Sequence, residues 1–377
     1  MKGDYLPPGD GGPGGVDGDP TAGPTAAPTA RRWPGGRGPV IELLPPPDLA
    51  RPPAAVAPPR WGRALLLFTL TFLTTTTLGA VWLLWAHPTA LVEVFPWLSP
   101  HTVATVWTDP ANLRLGLSFA APALFILLCH EMGHYLTCRF YGLPATLPYF
   151  LPVPLGIGTL GAFIRIHAPI DSRRQLFDVG VAGPLAGFAA LLPFLILGVA
   201  WSQPYVVPEL DPAVAERVIE EAAAAGTLPD VGMLLAPGRC LAIEGVSRLF
   251  HGDLPPGTRL HLHPFALAAW FGLLVTALNL LPLGQLDGGH VLYAAVGRLQ
   301  HRLALPLWLG LGLAGFYWPG WLLWFVIVLL MGLRHPPVRH EAKPLGPGRR
   351  ALAWLALVIF VLSFMPIPVE EVFLTVQ

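Results

Sequence analysis

The chain has 377 residues, of which 53% are apolar and only 12% charged, with a formal net charge of zero. That charge content is about half of what a soluble domain carries. With a mean hydropathy of +0.57, it excludes an ordinary water-soluble globule, and the neutral balance gives no electrostatic basis for binding nucleic acid. Cys129, Cys138 and Cys240 form neither a disulfide framework nor a paired-thiol zinc motif.

Residues 1–59 are rich in Pro, Gly, Ala and Thr (PGDGGPGG, DPTAGPTAAPTA), and no apolar periodicity begins before Trp61. This composition predicts a disordered, solvated tail. The first apolar stretch starts near Ala64, too far in for a cleavable signal peptide. Apolar runs then recur at Ala64–Trp85, Leu113–Thr137, Val179–Trp201 and Pro264–Leu283, each near the ~20 residues that cross a hydrocarbon core. Leu303–Leu333, broken by Trp-Pro-Gly at 318–320, is either a hairpin of two short spans or one bent span. Ala351–Met365 is the last run. The expectation is an all-α multi-pass membrane protein with roughly six to seven transmembrane segments.

Between the second and third runs, Pro144, Pro148, Pro152 and Pro154 rule out a regular helix. The segment LPYFLPVPLGIGTLGAF is nevertheless apolar. This predicts a re-entrant element packed on protein at membrane depth, with Phe163–His167 as a short strand. Arg51, Arg60 and Arg63, then Arg139, Arg165, Arg173 and Arg174, then Arg298 and Arg302, then Arg334, Arg339, Lys343, Arg349 and Arg350 fall on one face if 303–333 enters and returns. By the positive-inside rule that face is cytoplasmic. The N-terminus is then cytoplasmic in the cell membrane, and the acidic 202–262 loop is extracytoplasmic. The predicted organisation is a 1–59 tail, a 60–367 membrane domain carrying the 202–262 insertion, and a 368–377 tail.

Ionisable groups inside the apolar runs are costly and mark functional candidates. They cluster in two places. His130-Glu131-Met132-Gly133-His134 is HExxH, whose histidines at i and i+4 share a helix face and can reach one metal ion. Glu131 stands beside the first of them, where it can touch a metal-held water. A catalytic zinc takes three protein ligands, and Asp287 in LLPLGQLDGGH is the leading third, with Gly288 and Gly289 letting the backbone approach closely. His290 is an alternative ligand or a supporting group, and Asp178 suits a cap or an interface. Asn279 precedes Asp287, with the helix-breaking Pro282 between them. It can donate to an oxyanion or hydrogen-bond between helices.

These residues together resemble the site-2 protease family of intramembrane zinc metalloproteases. HEMGH at 130–134 matches the family's HExxH, and Asn279, Pro282, Asp287 and Gly288 match its Asn-x-x-Pro and Asp-Gly motif. Gly183-Pro184-Leu185-Ala186-Gly187 is similar to its Gly-rich stretch, and residues 156–162 to a membrane-associated loop. GQLDGGH at 284–290 and HPP at 335–337 are similar to the branch with plant chloroplast members. The resemblance covers about 60–367. It implies one zinc held by His130, His134 and Asp287, with Glu131 catalytic, and transmembrane protein substrates. The PDZ and CBS domains that many members carry are not recognised here.

The expected function is therefore intramembrane proteolysis, with the lipid bilayer and a membrane-protein substrate as partners. The alternatives are an intramembrane metal transporter and an inactive relative that binds membrane proteins. One cluster without an internal repeat argues against the transporter, and the intact Glu131 against the inactive relative.

Overall fold

The computed structural model describes residues 61–85, 98–207, 211–225, 231–338 and 344–375. The 1–59 tail, and with it Arg51, lies outside them, as do Arg60, Arg339 and Lys343.

In chain order the elements are α1 (Trp61–Trp85), α2 (Pro100–Thr108), α3 (Pro110–Phe140), β1 (Tyr149–Pro152), β2 (Thr159–Phe163), α4 (Arg173–Trp201), β3 (Gln203–Val206), α5 (Pro212–Ala225), β4 (Val231–Pro237), α6 (Leu241–His251), β5 (Thr258–His261), α7 (Pro264–Asn279), α8 (Asp287–Val296), α9 (Leu299–Ala314), α10 (Gly320–Met331), α11 (Pro347–Ser363) and β6 (Val369–Thr375). The protein is mostly helical, and α1, α3 and α4 are long and apolar enough to cross a membrane. The α3 helix runs beyond the predicted stretch at both ends. Asp109 caps it by accepting from the Ala111 N–H at 2.8 Å, and Pro110 fills the first turn, where no N–H is needed. The same device, Ser99 followed by Pro100, starts α2, a helix that the apolar runs did not reveal.

Lipid supplies no hydrophobic force between helices, so they associate through close packing of small residues. The chain follows this rule. A Cβ on Gly116 would strike Thr76 of α1, one on Gly133 would strike Ala182 of α4, and one on Gly198 would strike Ala266 of α7. These contacts bring α1, α3, α4 and α7 around a common core that includes Phe119, Ile126, Leu191, Leu195, Trp270 and Leu273.

The segment after α3 folds back as the antiparallel β1–β2 hairpin, with Phe150 opposite Ala162. Thr74 of α1 donates to the Gly158 carbonyl at 2.6 Å, fastening the hairpin turn to α1. The regular strand lies at 159–163, earlier than the 163–167 expected. Residues 165–167 do continue beside 144–146, through Thr146 N–H to Arg165 O and His167 N–H to Pro144 O. The ladder is broken because Pro144 and Pro148 have no N–H to give.

The helix predicted to reach Leu283 stops at Asn279, since Pro282 cannot continue it. The 303–333 stretch resolves into two helices. Trp308 of α9 stacks on Phe325 of α10 at 3.9 Å and donates to its carbonyl at 2.9 Å, which makes the pair a hairpin. The described residues of the 202–262 insertion form regular elements. β3 and β5 pair at its base, while β4 pairs over its full length with β6, which follows α11. This last pairing puts the C-terminal ends of α4 and α11 on one side.

At the opposite end, Arg349 of α11 forks onto Asp178 of α4, with Nε to Oδ1 at 2.8 Å and Nη2 to Oδ2 at 2.7 Å. The Tyr141 hydroxyl donates to the same carboxylate. Burial, aided by that carboxylate, raises the Tyr141 phenol above its usual pKa. Three elements are thus tied by one half-buried carboxylate. Arg349→Gln should lower stability by about 1–3 kcal/mol, the usual range for a hydrogen bond to a charged partner, read as a lower melting temperature in mild detergent. An unchanged midpoint would mean that the fork contributes nothing to holding α11.

Candidate metal centre

The i, i+4 spacing on α3 directs His130 and His134 to one face, and both are buried, as is Glu131. That face looks at α4. A Cβ on Gly183 would fall within the His134 ring, and one on Gly187 would lie 3.1 Å from His130 Nδ1. The two glycines flanking Pro184-Leu185-Ala186 therefore make the space that the imidazoles occupy. His134 Nδ1 donates to the Val179 carbonyl at 2.7 Å, which fixes the ring and leaves the Nε2 lone pair pointing inward.

Asp287 arrives from elsewhere in the chain. After Pro282 ends α7, a turn leads into α8, of which Asp287 is the first residue. A carboxylate is favoured at a helix N-terminus by the exposed N–H groups there. Close seating of α8 on the turn requires Gly288, since a Cβ there would strike the Leu280 carbonyl.

The result is a near-equilateral triangle. His130 Nε2 to Asp287 Oδ2, His134 Nε2 to Asp287 Oδ2 and His130 Nε2 to His134 Nε2 are each 3.2 Å. Ligands ~2.0–2.1 Å from a tetrahedral zinc stand ~3.3 Å apart, so the spacing of these three atoms suits that ion. Among the described residues this is the one group of three or more His, Cys, Asp or Glu drawn together in this way. The donor set, two imidazoles and one carboxylate, is that of an open catalytic site rather than a closed structural one.

Asn279, the last residue of α7, places Nδ2 3.3 Å from His130 Nε2, so its amide reaches the same cluster. Glu131 lies in electrostatic reach of His134 and Asp287 and takes a hydrogen bond from the Ile164 backbone, just past β2. His290 is not part of the triangle. Its Nδ1 pairs with His335 Nε2 at 2.8 Å, and Tyr293 stacks on His335 at 4.5 Å. Asp178 is engaged by Arg349 and Tyr141. The part played by His335 had no signal in its local sequence beyond the HPP segment.

The profile of Peptidase family M50 matches residues 118–306, which include the HExxH helix and the Asp287 turn. "Probable zinc metalloprotease EGY1, chloroplastic" from Arabidopsis thaliana is 30% identical over 314 residues, covering 81% of this chain and 53% of the relative. "Probable zinc metalloprotease EGY2, chloroplastic" from Oryza sativa subsp. indica is 30% identical over 264 residues, covering 66% of this chain and 42% of the relative. The chain thus spans about half the length of these relatives. No solved structure matches.

Gly183→Ala tests whether the α3–α4 approach builds the site. The added methyl must displace the His134 ring, and disturbing a group that orients a ligand typically costs about 10–100-fold in metal affinity. Zinc competition with a graded chelator should show a loss of that size, and affinity equal to wild type would mean that the ring tolerates the methyl.

Proposed function

Because the chain belongs to peptidase family M50, the site-2 proteases, we propose that it is an intramembrane zinc metalloprotease that hydrolyses peptide bonds in or near transmembrane segments of other proteins. The observation that carries this reading is the 3.2 Å triangle of His130, His134 and Asp287 with Glu131 beside it. In this reading His130, His134 and Asp287 hold one zinc ion per chain. When bound, zinc supplies Lewis-acid polarisation of a carbonyl and water acidic enough to ionise near neutral pH.

The chain's own groups do the rest. Glu131 accepts the proton from the attacking water and returns it to the leaving nitrogen. Asn279 Nδ2, at the edge of the cluster, donates to the oxygen that gains charge as water adds to the scissile carbonyl. His134 is held in its ligating orientation by the Val179 carbonyl. A helical substrate hides its carbonyls in its own hydrogen bonds and must be unwound locally. The β1–β2 hairpin is suited to receive the extended segment by strand addition: Leu160 and Phe163 are exposed on β2, and Ile164 just beyond bonds Glu131.

We place the site in the cytoplasmic half of a multi-pass membrane protein of the cell membrane, with the N-terminus cytoplasmic and six to seven passes. Support comes from Arg139, Arg173 and Arg349, which end α3 and begin α4 and α11, and from the β4–β6 pairing, which gathers the other ends of α4 and α11. The relatives are named as chloroplastic, so the orientation rests on the arginines and not on them. His134 and His130 lie about 7 Å and about 13 Å along the helix from Arg139 at 1.5 Å per residue. Residues 1–59 remain a solvated tail in this reading, 60–367 the protease domain, and 202–262 an extracytoplasmic insertion.

The decisive experiment separates metal binding from proton transfer. Glu131→Gln should keep zinc content and melting temperature while cleavage of a reconstituted single-span substrate falls about 10²–10⁴-fold. Asp287→Ala should instead lose zinc. Near wild-type cleavage by zinc-loaded Glu131→Gln would refute the proposed mechanism.

A further inference from the structure

A cavity of about 420 Å³ lies between α8 and α11. That is within the ~300–1,000 Å³ range of ligand pockets. Its wall is apolar: Val291 and Leu292 come from α8, and Ala353, Leu357 and Phe360 from α11. It is also lined by Leu280, Pro282 and Gly288, which lie next in the chain to Asn279 and Asp287 of the metal cluster. Among the described residues, Arg350 is the cation in its lining.

Three features specify an occupant. The first is depth. Arg350 and Phe360 are ten residues apart on α11, about 15 Å at 1.5 Å per residue, and one leaflet of a ~30 Å hydrocarbon core is about that thick. The second is polarity. The charged end of the groove begins at the helix terminus where Arg349 and Tyr141 meet Asp178, and the apolar end reaches the depth of Asp287. The third is charge. Arg349 is committed to Asp178, whereas among the described residues Arg350 bonds through its Nε to the Leu345 carbonyl, at 3.2 Å, and its exposed guanidinium can turn its Nη donors toward an anion. Trp354, 68% exposed, lines the groove's side. A basic group over an apolar slot between membrane helices is the arrangement that recognises an anionic lipid headgroup.

We propose that this groove binds one anionic phospholipid, with its phosphate on Arg350 and an acyl chain lying along α8 and α11 down to Gly288. The lipid then packs against the back of the turn that carries Asp287. This inference needs the chain to be membrane-embedded, but not to be a protease.

The test uses the full chain reconstituted in phosphatidylcholine vesicles. The probes are a phosphatidylglycerol with a photoactivatable diazirine in its acyl chain and the matched phosphatidylcholine. After irradiation, peptide mass spectrometry maps the adducts. The phosphatidylglycerol probe should label 288–295 and 353–360 at least fivefold more than the phosphatidylcholine probe. Arg350→Gln should bring the two probes level, Arg350→Lys should retain the preference, and Ala353→Trp, which fills the slot, should abolish labelling by both. Equal labelling of wild type by the two headgroups overturns the proposal, as does the absence of adducts from these segments. Displacement of the lipid probe by a co-reconstituted single-span peptide also overturns it, by assigning the groove to substrate. The wild-type comparison decides even if a variant fails to fold, and because labelling rather than cleavage is read, the protease reading can fail separately.

Discussion

The close approach of α4 to α3 at Gly183 and Gly187 is the constraint from which the rest of this architecture follows. Two imidazoles and a carboxylate within apolar helices are costly unless they answer one another. They can do so only where a neighbouring helix leaves room for the rings and offers a carbonyl to orient them. Both are supplied by one stretch of α4, with the glycines as the space and the Val179 carbonyl as the acceptor. With the rings fixed, the third group must come from the far side of the cluster. That requires a helix to end beside the cluster, which Pro282 brings about, and another to begin there, which Gly288 permits.

The part of the site that sequence discloses is the part governed by local rules. The four-residue period of His130 and His134 and the cost of an acid in an apolar run single out Glu131 and Asp287 without any coordinates. The proline break placed Asn279 near a helix end, where α7 does end. What could not be read depends on partners distant in the chain. His290 offered two roles in sequence, and its contact with His335 lies 45 residues away. The glycines of 183–187 were visible as a motif, but the ring that Gly183 accommodates belongs to another helix. The strand expected at 163–167 was misplaced because the ladder depends on which opposing residues possess an N–H, and Pro144 and Pro148 do not.

The same separation of local from distant explains the insertion. Its residues read as an acidic loop because β3 and β5 find each other across more than fifty intervening positions, and because β4 pairs with a strand beyond the last helix. Neither partner is recognisable in isolation. The two faces of the 280–286 turn share this logic. Its inner side was marked by charge, while its outer side, apolar and lined by α11, carries meaning only once α11 has been brought against α8.

The β4–β6 pairing also bears on how the protein is made. During synthesis β4 is complete well before α11 and β6 exist, so its backbone donors and acceptors must wait as an open edge, a state prone to mispairing. Only after α7 to α11 have followed does β6 arrive to close that edge. The small sheet is therefore a late closure, completed only when the strand after α11 has been made.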